Sequence, residues 1–283
     1  MSNDYFTVPV TSVNAGIASD VLAEHTGISK AKVKDAMNKG AVWLKRAKGR
    51  RMCLRRAKAQ VVSGDTLELY YDPQLLALTP GRAECLADHD HYSVWYKPAG
   101  LLTQGTNFGD HCSLLRQAEL YFVPRREVFL VHRLDREASG LVILAHSRTA
   151  AAKLSALFQQ GLVEKHYRIE VLGDLSGKTR GVIDLPIDTK EASTVFEVIK
   201  YDPGSHTSLV DVQIKTGRLH QIRRHFSMIG FPVMGDPRYG RGNKNEQGMM
   251  LEAVSLAFEC PFLHKRVMAA GGSFQAEIVK HQG

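Results

Sequence analysis

The sequence has no apolar run of about eighteen residues or more, which is the length that a membrane-spanning helix requires. The N-terminal stretch Met1–Tyr5 has neither the basic nor the apolar region of a secretory signal. The four cysteines (Cys53, Cys85, Cys112 and Cys260) are far apart and do not have metal-ligand spacing. We therefore expect a cytoplasmic protein with reduced thiols and no membrane partner.

Two nucleotide-binding signatures are also missing, because neither a P-loop nor a glycine-rich dinucleotide fingerprint occurs. The segment Asp88-His89-Asp90-His91 suggests metal ligands. Without a distant partner at ligand spacing, however, such a segment is more typical of a solvated stretch of chain. The sequence therefore predicts no cofactor and no metal ion.

Positive charge is concentrated in one short window. From Lys30 to Lys58 there are twelve lysines and arginines and a single acidic residue, Asp35, so this window exceeds the net charge of +8 of the whole 283-residue chain. A patch of this kind is typical of a protein that binds a polyanion, and nucleic acid is the leading candidate. The alternative is a basic face that only improves solubility, although such faces usually mix the two signs.

The basic window lies in a stretch that has the pattern of a small α/β module. Hydrophobic spacing, capping residues and turn residues predict a helix ending near Gly27, a helix over 30–39 with Ser29 as its N-cap, and strands over 41–44, 61–62 and 66–70. We take residues 1–72 as one basic domain. Residues 73–89 contain prolines and show little periodicity, so they are predicted to be a linker.

From residue 90 onward, strand and helix patterns mix without regular alternation. The run Leu141 to Ala145 is apolar throughout, which is typical of a buried strand, and alternation around Tyr167 predicts another. The pattern predicts that residues 90–283 form an α+β domain whose largely antiparallel, mixed sheet is flanked by helices and loops. The small α/β module would precede it.

One segment of this second domain places a carboxylate between two arginines. In His132–Gly140, with the sequence HRLDREASG, Asp135 lies shortly before the apolar run. Because neighbouring cations favour the charged form of an acid, we expect Asp135 to be ionised at neutral pH and able to act as a nucleophile or a base. Spacing alone would also fit a strand lead-in with a solvated salt bridge.

Five segments of the second domain together resemble the RluA-type pseudouridine synthases. They are Tyr96–Leu102, His132–Gly140, Glu164–Arg168, Thr216–His225 and Gly235–Gly240. The resemblance implies an isomerase that breaks the N1 glycosidic bond of a uridine in RNA, turns the uracil and rejoins it through C5. That reaction is redox-neutral and needs no group donor, in agreement with the absence of cofactor motifs.

By the same resemblance, three residues carry the catalysis. Asp135 corresponds to the catalytic aspartate, Arg223 to its cationic partner, and Tyr167 to a tyrosine whose ring stacks on the target base. Arg223 is expected to face the cleft from a helix whose apolar stripe (Leu219, Ile222 and Phe226) points the other way. The alternatives are a solvated helix charge for Arg223 and a core position for Tyr167.

Further residues are expected to contact the RNA or to line the pocket. Arg133 resembles an arginine that fills the space left by the extruded base, and a phosphate contact is the other role open to it. Arg136 and His220 are expected to contact RNA. Ile214 and Leu251 are expected to line the pocket or to pack in the core.

The N-terminal module resembles the αL motif, a small RNA-binding module named after a protein of the small ribosomal subunit. The likeness lies in Gly27–Lys30, Lys39–Val42 and Val62–Leu67. It implies RNA as the partner, with phosphate contacts from Lys30, Lys32, Lys34, Lys45, Arg46, Arg50 and Arg51.

The expected function is therefore site-directed isomerisation of uridine to pseudouridine in structured RNA by a cytoplasmic monomer. Ribosomal RNA is favoured over transfer RNA because of the attached module, which is an argument by analogy. One alternative is a non-catalytic RNA-binding or ribosome-assembly protein, which would explain the basic window only. Another is a metal-dependent nuclease, which would need a cluster of carboxylates.

Overall fold

The computed structural model describes residues 4–240, 242–243 and 245–271, and the chain divides into two compact units. The first unit comprises Met1–Pro80 and Gln104–Leu120, and the second comprises Gly81–Thr103 and Tyr121–Gly283. The ends of the two predicted domains, residues 1–3 and 272–283, lie outside the described residues.

In the first unit, helices pack against a four-stranded antiparallel sheet. Its elements are β1 (Asp4–Pro9), β2 (Gly16–Ile17), α1 (Ala18–Thr26), α2 (Lys30–Asn38), β3 (Val42–Lys45), β4 (Arg51–Cys53), β5 (Gln60–Val61), β6 (Thr66–Tyr71), α3 (Pro73–Ala77) and α4 (Leu114–Tyr121), whose last residue belongs to the second unit. The sheet order is β1-β6-β3-β4, and β2 pairs with β5. The apolar faces of helices and sheet form one core.

Helix α2 follows from local sequence signals. The Ser29 side chain accepts a hydrogen bond from the backbone N–H of Lys32, which satisfies one free donor at the helix start. Val33, Ala36 and Met37 recur at helical spacing and are fully buried. The prediction of a helix with Ser29 as N-cap is thus confirmed.

The segment 73–89, predicted to be a linker, contains regular structure. Pro73 lies in the first turn of α3, where proline costs no hydrogen bond, and the Asp72 side chain caps that helix. Residues 84–88 form a strand of the second unit. Gln104–Leu120, which the sequence places in the second domain, belongs to the first unit by its contacts. Proline content and weak periodicity therefore did not distinguish a linker from short elements.

The second unit is built on a mixed ten-stranded sheet. Its elements are β7 (Glu84–Asp88), β8 (Tyr92–Lys97), β9 (Phe129–Leu130), β10 (Ser139–Ala145), α5 (Arg148–Gln159), β11 (Glu164–Leu172), β12 (Arg180–Ile183), β13 (Thr194–Asp202), β14 (Thr207–Ile214), α6 (Gln221–Met228), β15 (Leu251–Cys260) and β16 (Lys265–Ala270). The order is β12-β13-β14-β11-β15-β10-β8-β7, while β16 pairs with β15 and β9 with β10. Strands β10 and β15 run parallel, and the other pairs run antiparallel. The predicted α+β class is confirmed.

Strand β10 positions the segment that contains Asp135. Residues 141–145 are fully buried, and Leu141 and Ile143 pack in one core cluster with Ala150 and Leu154 of α5. Because β10 is fixed on both edges by β8 and β15, the loop that enters it has a fixed end point. In the part of the chain that the structure describes, no helix is both long and apolar enough to cross a membrane.

Candidate active site

A cavity of about 580 Å³ opens in the second unit, within the size range of small-molecule sites. It is walled by the loop before β10, by α5, by β11 and by the segment that leads into α6. Among the residues predicted to catalyse, to contact RNA or to line the pocket, those that line the cavity are Arg133, Asp135, Tyr167, Ile214, His220, Arg223 and Leu251. The cavity thus brings together side chains that are far apart in the sequence.

Asp135 and Arg223 form an ion pair at the cavity wall. Arg223 Nη1 donates a hydrogen bond to Asp135 Oδ2 at 2.9 Å and lies 3.5 Å from Glu137 Oε2. The arginine side chain is only 2% exposed, whereas that of Asp135 is 22% exposed. The guanidinium is therefore removed from water while the carboxylate remains accessible from the cavity.

A second acid, Asp236, holds the other edge of the guanidinium. Its Oδ2 and Oδ1 accept hydrogen bonds from Arg223 Nε at 2.8 Å and Nη2 at 2.9 Å. The backbone N–H groups of Arg238 and Tyr239 also donate to Asp236 Oδ1. Asp236 lies in one of the segments that resemble the family, but no role for it follows from the sequence, because a separation of thirteen residues does not predict this contact.

Both members of this buried pair are held in their charged forms. Burial alone would lower the pKa of Arg223, but the hydrogen bonds to Asp236 and Asp135 outweigh it and raise that pKa. Burial likewise acts to raise the pKa of Asp236, and the hydrogen bonds from Arg223 and the backbone reverse this to a net lowering. The result is a fixed positive charge directed at Asp135.

The helix that carries Arg223 begins later than predicted. Gln221 is its first residue, and Leu219 precedes it and is more than half exposed, so Leu219 does not belong to the apolar stripe. The Gln221 side chain explains this start, because its Oε1 accepts from Thr216 Oγ1 and from the backbone N–H of Arg218. These bonds fold the preceding segment into a loop. Ile222, expected to point away from the cleft, lines the cavity.

His220 lies at the helix N-cap in the left-handed backbone region, with φ of 53°. Its Nδ1 is 3.0 Å from the Tyr239 hydroxyl, and its Nε2 is 3.7 Å from Asp135 Oδ1. Burial lowers the pKa of His220, and the nearby Asp135 charge opposes that effect only in part. A neutral imidazole therefore lies beside the carboxylate.

Tyr167 faces the cavity from strand β11. The strand alternates between buried and more exposed residues, and Tyr167 is on the buried face with 9% exposure. Burial, followed by the negative charge of Asp135, raises the pKa of the phenol, so the ring remains neutral. Ile214 and Leu251 supply apolar walls to the same cavity.

Two buried groups fix the loop that contains Asp135. The Lys97 ammonium has no exposed surface and donates to the carbonyls of Leu101 at 2.8 Å, Arg136 at 3.3 Å and Ala138 at 2.5 Å. Burial lowers the pKa of Lys97 to about 8, although Asp135 and Glu137 act to raise it. The Thr103 hydroxyl donates to the Leu134 carbonyl and accepts from the Leu134 N–H. Sequence reasoning assigned no role to either residue.

The predicted RNA contacts fall into two groups. In the second unit, Arg133 is exposed at the cavity, and Arg136 is exposed and donates to the Gly100 carbonyl without lining the cavity. In the first unit, Lys30, Arg46 and Arg51 are ion-paired with Asp20, Asp65 and Glu68 respectively. The predicted contacts that are exposed and form no ion pair among the described residues are Lys32, Lys34, Lys45 and Arg50.

The segment Asp88-His89-Asp90-His91 lies around the start of β8. Asp88 is ion-paired with Arg126, and His91 stacks on Phe262. Within the described ranges, no three His, Cys, Asp or Glu side chains are grouped so that they could hold a metal ion.

The sequence resembles one family of RNA-modifying enzymes. Residues 91–228 match the profile of the family described as RNA pseudouridylate synthase. The chain is 30% identical over 259 residues to an uncharacterized RNA pseudouridine synthase of Aquifex aeolicus, covering 83% of this chain and 79% of that protein. It is 31% identical to the dual-specificity RNA pseudouridine synthase RluA of Vibrio vulnificus (64% of this chain, 79% of that protein).

Two further comparisons extend this result. The chain is 36% identical to the ribosomal large subunit pseudouridine synthase D of Nitrosomonas europaea, covering 55% of this chain and 49% of that protein. The structure of human RNA pseudouridylate synthase domain containing 1 superposes with a TM-score of 0.58 at 23% identity, covering 69% of this chain and 86% of that chain. The structural likeness supports the α+β fold described above.

Proposed function

This chain belongs to the RluA-type RNA pseudouridine synthases, and on that premise we propose that it isomerises uridine at defined sites of a structured RNA with Asp135 as the catalytic carboxylate. In this reaction the bond between N1 and C1′ breaks and the uracil turns. A bond then forms between C5 and C1′, C5 loses its proton and N1 gains one. Since the overall change is an isomerisation, the protein has to bind, orient and stabilise charge.

The observation that best supports the role of Asp135 is its pairing with a buried arginine at the cavity wall. The reaction needs a carboxylate that can engage the sugar where the bound base displaces water. Arg223, 2.9 Å away and itself fixed by Asp236, pairs with that carboxylate and holds it at the cavity wall. The carboxylate acts either by forming a bond to a sugar carbon or by removing a sugar proton, and both routes release the uracil as an anion.

Tyr167 and Arg133 are proposed to handle the extruded nucleotide. The neutral Tyr167 ring lines the cavity with Asp135 and would stack on the target base, a contact worth roughly 1–3 kcal/mol. Extrusion of a base from a stem costs a few kcal/mol. Arg133, exposed at the cavity, would fill the vacated space or contact a phosphate.

The first unit is proposed to bind RNA through its cationic surface as an αL-type module. The exposed, unpaired Lys32, Lys34, Lys45 and Arg50 are the best placed for phosphate contacts. We favour ribosomal over transfer RNA because the module resembles one from a ribosomal protein and because the relative from Nitrosomonas is named for the large ribosomal subunit. We further propose that the protein acts as a monomer in the cytoplasm.

Tritium release tests this proposal. RNA labelled at C5 of uridine, prepared from cells that lack the enzyme, should lose tritium to water when the wild-type protein is added. Asp135→Asn should abolish the release while changing the Kd for that RNA by no more than about twofold, because the amide keeps the size but not the charge of the carboxylate. Asp90→Asn, at an exposed position of the same unit, is the matched control and should match wild type.

Four outcomes would contradict the proposal. Full release by Asp135→Asn would remove its catalytic role. A large loss of RNA binding by that variant would make the residue part of the binding surface. Absence of release by wild type would favour the non-catalytic RNA-binding protein, and activity that a strong chelator abolishes would favour the nuclease.

A further inference from the structure

Lys165 is a buried residue at the cavity wall, and its ammonium has no acidic partner among the described residues. The residue is 8% exposed and lines the cavity. No hydrogen bond or ion pair of its side chain is found within the described residues. Burial lowers the pKa of this lysine. Since a partly desolvated cation without a counter-ion is unfavourable for the folded state, the position of Lys165 beside the candidate active-site cavity points to a ligand that supplies the missing negative charge.

The strand places Lys165 on the same side as Tyr167. The two residues are separated by one position on β11, and both belong to its buried face. Side chains at this spacing project from the same face of a strand, roughly 7 Å apart. A base stacked on the Tyr167 ring would therefore have its edge within reach of a lysine side chain.

The surroundings of Lys165 do not satisfy its charge. His132 lines the same cavity, its Nε2 accepts the backbone N–H of Ile143 at 2.9 Å, and its ring stacks on Phe158. Burial and then the charge of Lys165 lower the pKa of His132 to about 3, so the imidazole is neutral. The ammonium thus stands beside neutral groups.

The acidic end of the cavity cannot stabilise an anionic base. The guanidinium of Arg223 is shared among three carboxylates, those of Asp135, Glu137 and Asp236, so this cluster carries excess negative charge. Two other arginines, Arg133 and Arg218, line the cavity but are exposed, where water weakens their electrostatic effect. Among the described cavity residues, Lys165 is the buried cation that remains available.

We propose that Lys165 donates a hydrogen bond to a carbonyl oxygen of the target uracil and stabilises the negative charge on the base after the N1–C1′ bond breaks. This inference rests on the proposed function. When that bond breaks, its electron pair stays with the base, and the charge is spread over N1, O2 and O4. It is neutralised when C5 bonds to C1′, and the later loss of the C5 proton is balanced by protonation of N1. A donor to O4 would also favour uracil over cytosine, which carries an amino group at C4, whereas a donor to O2 would not distinguish the two bases.

Replacement of the charged lysine by an unbranched neutral side chain that lacks only the terminal nitrogen position gives the first test. In single-turnover tritium release from RNA of cells that lack the enzyme, Lys165→Met should slow the reaction by about a hundredfold, as loss of one preorganised donor to a developing anion does in other enzymes. Its Kd for RNA should stay within about twofold, and Lys165→Arg should recover part of the rate. Lys200→Met, which removes an exposed lysine of the same unit, should behave as wild type.

A sulfur substitution in the substrate separates a hydrogen bond from a structural role. Once the target uridine has been mapped, a transcript that carries it is prepared with uridine, 4-thiouridine or 2-thiouridine at that position. Because product and substrate have equal mass, they are separated by liquid chromatography and distinguished by the fragmentation of the glycosidic bond in tandem mass spectrometry. Sulfur is a weaker acceptor, so wild type should slow by about tenfold with one of the two analogues. Lys165→Met should show no further slowing with that analogue. Lys165→Gln provides the same comparison if the methionine variant does not fold.

The outcomes are distinguishable. A Lys165→Met rate within twofold of wild type, with Asp135→Asn inactive, overturns this inference and leaves the proposed function intact. If both analogues slow wild type and Lys165→Met equally, Lys165 has a structural role and makes no hydrogen bond to the base. That result also overturns the inference. Full activity of Asp135→Asn would instead contradict the proposed function.

Discussion

The guanidinium of Arg223 contacts three carboxylates, and the geometry of each contact differs. The Asp236 carboxylate accepts hydrogen bonds from Nε and Nη2 in a bidentate contact. Nη1 is then free to donate to Asp135, at 2.9 Å. A planar bidentate pair fixes the orientation of the guanidinium as well as neutralising its charge, so Asp236 determines where Nη1 points. The orientation of the catalytic pair is therefore set by a residue that does not line the cavity.

Replacement of Asp236 should affect both stability and turnover. Asp236→Asn removes the charge that compensates a buried guanidinium, and breaking such a pair costs about 3 kcal/mol of unfolding free energy. Turnover of Asp236→Asn in the tritium assay should also fall, because Nη1 of Arg223 is no longer held toward Asp135. Urea denaturation and tritium release measure the two effects.

The neighbouring Arg224 provides the control. Arg224 also makes a bidentate contact, through Nη1 and Nη2, with the carboxylate of Asp188. Because that carboxylate is exposed, Asp188→Asn should leave the unfolding free energy nearly unchanged. The pKa of Asp236 is lowered on folding. Its stabilisation is therefore complete above the ordinary aspartate pKa of about 3.9 and is lost as pH falls through the lower folded value. Equal effects of the two variants would contradict the role given to Asp236.

At the scale of elements, the loop before β10 is fixed at both ends. Lys97 of β8 binds carbonyls on both sides of the Glu137 position, and Thr103 binds the backbone of Leu134. At the other end, Gly140 pairs with Ala253 of the parallel strand β15. The loop can therefore present Asp135 in one orientation although it has no regular structure of its own.

Gly140 should not tolerate even alanine. Its φ is +113°, and an added Cβ would lie 2.3 Å from the Ala253 carbonyl oxygen. Gly140→Ala should lower the unfolding free energy by about 2 kcal/mol or more, because β15 or the loop must move. Gly177→Ala, where no atom lies within 4 Å of the added carbon, is the control and should remain near wild type. Similar melting temperatures for both variants would contradict this reading of the β10–β15 contact.

At the scale of the whole molecule, positive charge is most concentrated in the window from Lys30 to Lys58, which belongs to the first unit. Five of the twelve basic residues in the window from Lys30 to Lys58 are engaged in ion pairs. Exposed basic side chains that form no ion pair within the protein can pair with RNA phosphates instead. The unpaired subset should therefore dominate the electrostatic part of RNA binding.

The salt dependence of RNA binding tests this division. The combined substitution of Lys32, Lys34, Lys45 and Arg50 by alanine should reduce the magnitude of the slope of log K against log salt by about three. The matched control replaces four exposed lysines of the second unit, Lys153, Lys178, Lys190 and Lys200. A slope that changes equally in both proteins would show that the phosphate contacts are not concentrated in the first unit.

The sequence by itself determined the features that depend on near neighbours. Helix α2 is predicted by the Ser29 N-cap and by its buried apolar stripe. Strand β10 is predicted by a continuous apolar run, which is typical of a strand that is buried on both faces of a sheet. The segments around Asp135, Tyr167 and Arg223 likewise indicate one family from their residues alone. In each case the physical signal lies within about ten residues of chain.

The tertiary structure decided what depends on contacts between distant segments. The sequence could not show that Asp236 orients Arg223, that Lys97 holds the Asp135 loop, or that α6 begins only at Gln221. It also could not show which basic residues are neutralised by acids and which are free. Such pairings are set by the register and packing of strands that are remote in sequence, because a buried charge selects its partner by distance in space and not by distance along the chain.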